Sequence, residues 1–136
     1  VTLIAMTGPS AILTGKMILV VEDDSSLSPL LRLLVEDAGA VVQVADDPQQ
    51  ALLAASKMER IDVLVSDVVL PSRSGFQLAE ELSRSHPRLR ALFMSGFGDP
   101  EIGARDMLMP FDTLLKPFLP EDFIAKIVGL CARKVS

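Results

Sequence analysis

Short apolar runs alternate with longer segments of helical periodicity over most of the chain. The runs have the length of strands that are buried on both faces, and they cover residues 17–21, 41–45, 62–66, 89–94 and 113–115. After the first run, apolar residues recur every three to four positions and form one helix face, which comprises Leu27, Leu30, Leu31, Leu34, Val35 and Ala38. The pattern predicts a series of strand–helix units.

Residues typical of helix termini separate these units. In chain order they are Gly39 as the C-cap of the first helix, the N-terminal signals Asp47-Pro48, Ser74 with Gln77, and Asp99-Pro100, and Pro120 at the start of the last helix. Five such units predict an α/β fold with a doubly wound, five-stranded parallel sheet, because each right-handed crossover returns the chain in the same direction. Residues 1–16 show neither pattern, and we interpret them as an N-terminal tail or linker before a domain over 17–134.

The net charge and the cysteine content limit which partners and which cellular compartment are expected. The 136 residues carry 13 Lys and Arg against 18 Asp and Glu, a net charge of −5, which argues against a surface for nucleic acid or anionic membranes. The single cysteine, Cys131, suits a reducing compartment, and no apolar run approaches the roughly 18 residues that cross a bilayer. We therefore expect a cytoplasmic domain that binds neither nucleic acid nor membrane.

Polar side chains follow four of the five predicted strands. They are Glu22 and Asp23 after the first strand, Asp67 after the third, Ser95 after the fourth and Lys116 after the fifth. Because parallel strands all end at one edge of the sheet, these side chains are expected to converge where ligands bind in open α/β folds. Lys116 lies two strands from Asp67, about 10 Å in backbone terms, so a long side chain is needed to reach it.

Carboxylates gathered at one edge need a counter-charge. Two of them about 5 Å apart repel by roughly 3 kcal/mol at an effective dielectric constant near 20. Mg²⁺ suits such a gap, because it takes one or two carboxylates, keeps several waters and accepts phosphate oxygens. With Lys116 added, the site is able to receive a dianionic phosphoryl group.

Four segments in this order and spacing resemble the receiver domain of bacterial two-component response regulators. They are ILVVEDD (18–24), VLVSDVVLPSRSG (63–75), LFMSG (92–96) and LLKPF (114–118). The resemblance implies a flavodoxin-like fold with strand order 2-1-3-4-5. It also implies a signalling domain in a phosphorelay, which catalyses only its own phosphorylation and dephosphorylation and has no separate substrate. The pattern is similar, too, to receivers within hybrid sensor histidine kinases.

The resemblance assigns a role to each residue at the strand ends. Asp67 would accept the phosphoryl group from a phosphohistidine in a step that depends on Mg²⁺. The metal ligands would be Glu22, Asp23, Asp67 and the backbone carbonyl of Val69, and the contacts to the phosphoryl oxygens would be Ser95 and Lys116. The Lys116–Pro117 bond is often cis in this family.

One position departs from the family pattern. The residue three before the lysine is usually an aromatic side chain that turns inward on activation, and here it is Thr113. Phe111 or Phe118 could replace that aromatic group, and the sequence leaves this open.

The resemblance also implies protein partners. A histidine kinase or a histidine phosphotransfer protein would dock near the first helix, where Leu33 lies about 130° from the centre of the buried face and Pro29 adds apolar surface. A homodimer could form through the fourth helix, fifth strand and fifth helix. His86, in a Ser-His-Pro sequence, is expected to be an ordinary surface residue.

Three alternative kinds of protein share part of this pattern. A phosphatase of the haloacid dehalogenase type needs a second Asp two residues after its nucleophile, where Val69 stands. A flavodoxin-like flavin binder needs a phosphate loop after the first strand, where Glu22, Asp23 and Asp24 would repel phosphate. A receiver-like domain that acts through protein contact alone would not need the complete set of polar residues.

Overall fold

The sheet is parallel throughout and has the predicted strand order. The computed structural model describes residues 12–99 and 107–133. Its strands run in the order β2-β1-β3-β4-β5, and each hydrogen-bonded pair is parallel. Their bounds are β1 Met17–Val21, β2 Val41–Ala45, β3 Val63–Asp67, β4 Arg90–Ser95 and β5 Phe111–Leu115. The fold class predicted from the sequence is confirmed.

Four helices lie in the described part of the chain: α1 Ser28–Asp37, α2 Pro48–Ser56, α3 Gly75–Ser85 and α4 Pro120–Ala132. The predicted caps form, since Asp47 Oδ1 accepts a hydrogen bond from Gln50 N at 2.8 Å and Ser74 and Gln77 make a reciprocal capping box. The short helix predicted after Asp99-Pro100 lies outside the described residues.

Each face of the sheet carries its own hydrophobic core. One core contains buried residues of α2 and α3 with alternate residues of the strands, such as Leu19 and Val21 of β1. The other contains buried residues of α1 and α4 with the intervening strand residues, such as Ile18 and Val20. Because successive side chains of a strand point to opposite faces of the sheet, each strand contributes residues to both cores. The rigid sheet that results holds the ends of β1, β3, β4 and β5 in register.

Several local expectations are corrected by the structure. The helical pattern predicts Leu30 on the buried face of the first helix, but Leu30 is 44% exposed, since α1 buries only Leu31 and Val35. His86 is not a surface residue: it is buried, with Nε2 3.3 Å from Met58 O and Nδ1 3.1 Å from Ser85 Oγ. Leu13, which precedes β1, is also buried beside α1 and α4, and the interpretation of residues 1–16 as a tail or linker stays a prediction.

Candidate functional site

Strand register brings the predicted site residues to one edge of the sheet. Val21 of β1 pairs with Ser66 of β3, so Glu22 and Asp67 follow as neighbours on adjacent strands. Ser95 ends β4, and the Lys116 amide donates to its carbonyl oxygen at 2.8 Å. All these residues stand at the carboxyl end of the sheet, as expected for a ligand site in this fold.

Lys116 links two of the acidic residues. Its Nζ lies 2.7 Å from Glu22 Oε1, with hydrogen-bond geometry, and 2.6 Å from Asp67 Oδ1, as an ion pair. The two carboxylate side chains are almost fully buried, whereas the lysine side chain is 28% exposed. The predicted reach of Lys116 across two strands is confirmed, and its charge offsets part of the repulsion between the acids.

The acidic side chains are close enough to share one small cation. Glu22, Asp23 and Asp67 each offer a carboxylate oxygen, and these atoms all lie within 4.8 Å of one another. Asp67 Oδ1 is also a buried oxygen that accepts no hydrogen bond, although the Lys116 ammonium lies beside it. Hard carboxylate oxygens gathered around this buried oxygen fit Mg²⁺. The three residues expected to bind metal through their side chains are therefore brought together.

Burial and mutual repulsion change the acidity of these groups. Desolvation, followed by a hydrogen bond with the Glu22 carboxyl, raises the pKa of Asp67 to about 7 despite the nearby Lys116. Desolvation also acts on Glu22, but its hydrogen bonds with Asp67, Lys116 and the Asp24 amide lower its pKa below the usual value. Without a cation, the Asp67–Glu22 pair therefore holds a proton to a higher pH than a free carboxyl does.

Val69 and Ser95 are the two remaining residues of the predicted site. Val69 lies two residues after Asp67, in a loop that an isolated antiparallel bridge to Ser74 closes, and the residue is 57% exposed. Ser95 is 5% exposed at the end of β4. Within the described residues, no hydrogen bond joins the Ser95 hydroxyl to Asp67, so its role stays a prediction.

The position of the expected aromatic residue is filled differently here. Thr113 is half-buried in β5 and pairs with Phe93 of β4. Phe111 packs near Phe93 with ring centroids 6.1 Å apart, and Phe118 stacks on Phe123 at 5.6 Å. Both candidate replacements are thus packed against other rings, each in a different core.

Two further contacts at this edge were not anticipated from the sequence. The Gly96 amide donates to Asp99 Oδ2 at 2.7 Å and so holds the turn after Ser95. The backbone carbonyl of Asp67 packs against Gly75, which begins α3. The glycine at position 75 was visible as part of a motif, but its contact with Asp67 depends on the folded loop and has no signal in the sequence.

The whole sheet and its polar edge match a known domain family. The sequence model described as the response regulator receiver domain matches residues 18–128. The chain belongs to the response regulator receiver domain family. As a receiver domain of the kind found in two-component response regulators, it is a signalling domain.

Relatives of this receiver domain include proteins of about its own length and longer ones. It is 35% identical to the uncharacterized 14.6 kDa protein in the sodA1 3′ region of Leptolyngbya boryana, covering 84% of this chain and 88% of that one. It is 30% identical to the alkaline phosphatase synthesis transcriptional regulatory protein PhoP of Bacillus subtilis, covering 88% of this chain. The receiver spans about half of PhoP and of several other curated transcriptional regulators that it matches.

Solved structures agree with this assignment. The receiver superposes on full-length FixJ of B. japonicum with a TM-score of 0.74 at 30% identity, covering 86% of this chain and 58% of that one. A response regulator receiver domain protein of Clostridium thermocellum gives a TM-score of 0.75 at 24% identity, covering 85% and 94%, and supports the fold. Among the described residues, none of the helices combines the length and the apolar character that crossing a bilayer requires.

Proposed function

We propose that Asp67 is the phosphoacceptor of a two-component phosphorelay and takes its phosphoryl group from a phosphohistidine on a partner protein. The observation that carries the proposal is the position of Lys116, whose ammonium touches both Asp67 and Glu22 within 2.7 Å. A buried acid that faces a cation and two further acids has little structural purpose, because replacing such a group by apolar residues often costs nothing. Its chemistry is that of a site for a small anion and a metal ion.

The transfer step needs no general base. An Asp67 carboxylate oxygen forms a bond to phosphorus as the P–N bond to the imidazole breaks. The imidazole, which is protonated on its other ring nitrogen, takes that electron pair and leaves as the neutral ring. The product is an acyl phosphate on Asp67. Since phosphoryl transfer depends mainly on positioning and charge neutralisation, the protein contributes a fixed nucleophile and nearby positive charge.

The residues present fit Mg²⁺, and we assign its ligands to Glu22, Asp23, Asp67 and the backbone carbonyl of Val69. When bound, the ion supplies positive charge that lets the acids stay ionised together and shields the incoming phosphoryl oxygens. The three carboxylates and Lys116 carry a formal charge of −2, which a divalent cation cancels. Asp67 is then free to act as the ionised nucleophile at neutral pH.

Ser95 and Lys116 are proposed to contact the phosphoryl oxygens after transfer. The Lys116 ammonium already lies 2.6 Å from the reacting carboxylate, so it stays beside the new phosphoryl group with little movement. Ser95 is a hydroxyl donor at the end of the next strand, and its rotation toward the phosphoryl group would pull on the turn held by Gly96 and Asp99. The response would reach the face formed by β5 and α4.

We propose that the phosphodonor, a histidine kinase or a histidine phosphotransfer protein, docks on α1. Three apolar residues at its exposed surface support this choice: Pro29 is exposed, and Leu30 and Leu33 are 44% and 60% exposed. They lie within two turns of the helix that follows the Glu22–Asp24 loop, beside the reacting edge. We further propose a cytoplasmic location, which suits the lone thiol of Cys131, and a phosphorylation-dependent homodimer through the face of β5 and α4.

A receiver segment of a hybrid sensor histidine kinase would use the same chemistry in a longer chain. In either setting the domain modifies only itself. The phosphatase alternative has no support at position 69, where Val69 offers no carboxyl group to act as acid or base.

The proposal is tested by treating the protein with acetyl phosphate and Mg²⁺ and measuring its intact mass. We expect a gain of one phosphoryl group in the wild type and none in Asp67→Asn. Asp37→Asn is a matched control, since Asp37 is an exposed carboxylate at the end of α1 and should not affect the reaction. A mass gain that persists in Asp67→Asn would overturn the assignment.

A further inference from the structure

The contact between Gly75 and the backbone of Asp67 points to a residue that positions the phosphoacceptor. A Cβ atom built on Gly75 would lie closer than 3.0 Å to the Asp67 carbonyl oxygen, a separation that Cβ atoms in proteins do not adopt. The same atom would lie 2.9 Å from Ser66 Oγ. The φ angle of Gly75 is not positive, so its backbone conformation does not require glycine. Glycine is needed here because a side chain has no space.

Hydrogen bonds hold the same piece of backbone on its other sides. The buried Ser66 hydroxyl donates to Asp67 O at 2.9 Å. The Val68 amide donates to Met94 O at 2.9 Å, and the Gly75 amide donates to Val68 O at 2.7 Å. Both polar groups of the Asp67–Val68 peptide are therefore engaged, and the first residue of α3 rests directly against its carbonyl.

We propose that Gly75 is a positioning residue for Asp67, and that its lack of a side chain lets α3 pack against the Asp67–Val68 peptide and fix the direction of the acceptor carboxylate. Ser66 assists by holding the carbonyl oxygen. The same peptide leads into Val69, whose carbonyl is a proposed metal ligand, so a displaced peptide would disturb both the nucleophile and the cation site. This inference rests on the proposed role of Asp67, and it deepens that role.

The test compares Gly75→Ala with Gly129→Ala. Gly129 lies in α4 with no atom within 4 Å of its added Cβ, so the two variants make the same chemical change in a helix with and without the contact. Since alanine favours a helix over glycine, we expect Gly129→Ala to raise the thermal midpoint by about 2–4 °C and to leave Mg²⁺ affinity unchanged. Gly75→Ala should instead lower the thermal midpoint.

Magnesium affinity separates positioning from a merely structural effect. For folded Gly75→Ala, measured by calorimetric titration with Mg²⁺ alone, we expect the dissociation constant to rise about 10- to 100-fold, as for loss of a group that orients metal ligands. In the metal-free protein, amide resonances of residues 66–70 should shift while those of α4 do not. An affinity within twofold of the wild type would overturn the inference.

Ser66→Ala provides a second variant that adds no bulk. Loss of its hydroxyl should weaken Mg²⁺ binding about fivefold, the effect of one ordinary hydrogen bond, so the inference stays testable if Gly75→Ala does not fold. Unchanged affinity in Ser66→Ala would remove its assisting role. The double variant should not recover, because the closest obstacle to the new Cβ is the Asp67 carbonyl and not the Ser66 side chain. Recovery would overturn the assignment to the Asp67 peptide.

Phosphorylation by acetyl phosphate distinguishes this inference from the proposed function. If the wild type is phosphorylated at Asp67 and folded Gly75→Ala reacts at the same rate, the positioning role is wrong and the phosphoacceptor stands. If the wild type is not phosphorylated while Gly75→Ala still loses Mg²⁺ affinity, the positioning role stands and the phosphoacceptor is wrong.

Discussion

Replacing Asp67 with asparagine should stabilise the metal-free protein at neutral pH. Asp67 is buried among acids, and the pKa of its carboxyl rises from the usual 3.8 to about 7 in the folded chain. Because the folded state holds this proton more tightly than the unfolded state, the contribution of Asp67 to stability is favourable at low pH and is lost as pH rises from about 4 to 7. Asparagine has nearly the same shape and never ionises, so it escapes this loss.

The size of the effect follows from the change in acidity. A difference of roughly three pKa units corresponds to about 4 kcal/mol at pH above 7, which is a ceiling. Part of this gain is lost again, because asparagine gives up the ion pair between the Asp67 carboxylate and the Lys116 ammonium. We therefore expect a net gain of about 1–3 kcal/mol, or roughly 3–9 °C in thermal midpoint for a domain of this size.

The assay is thermal unfolding followed by circular dichroism in EDTA, from pH 4.5 to 8. The midpoint of Asp67→Asn should exceed that of the wild type by an amount that grows with pH and levels off above 7. Asp37→Asn, at an exposed position, should stay within about 0.5 kcal/mol of the wild type at every pH. Equal midpoints for Asp67→Asn and wild type across this range would refute the argument that burial beside a second acid makes the ionised Asp67 costly.

Three further predictions follow from single contacts. Lys116→Ala should keep the fold and slow phosphorylation by acetyl phosphate at least tenfold, since it removes the cation beside the reacting oxygen; an unchanged rate in the mass assay would contradict this. Asp23→Asn should weaken Mg²⁺ binding about tenfold or more in calorimetric titration, whereas an unaltered affinity would remove Asp23 from the site. Asp47→Ala should cost about 1 kcal/mol in urea unfolding, through loss of the N-cap of α2, with no effect on Mg²⁺ affinity.

Periodicity was sufficient to predict the sheet, because each strand is an apolar run bounded by polar residues. The predicted bounds of β1 and β2 agree with the structure, while β3 and β4 each lie one residue later and β5 begins two residues earlier, at Phe111. The exact first and last residues of a strand depend on which backbone groups form hydrogen bonds with the neighbouring strand. The convergence of Asp67 and Lys116 was predictable for the same topological reason.

What the sequence could not predict depends on contacts between distant segments. His86 is buried because its ring meets the carbonyl of Met58, 28 residues away. Leu13 is buried because its amide bonds to Ala38 O and its side chain joins the core beneath α1. The close approach of Gly75 to the Asp67 carbonyl arises from the fold of the intervening loop. None of these has a periodic signature, since each is a property of the packed chain.

The most direct test of the central claim is fluorine NMR of the protein with beryllofluoride and Mg²⁺, a stable mimic of the phosphoryl group. We predict a bound signal in the wild type that needs Mg²⁺, with amide shifts concentrated at Glu22, Asp23, Asp67, Ser95 and Lys116, and no bound signal in Asp67→Asn. A bound signal that survives in Asp67→Asn, or wild-type shifts that map away from the carboxyl ends of β1, β3, β4 and β5, would contradict the account.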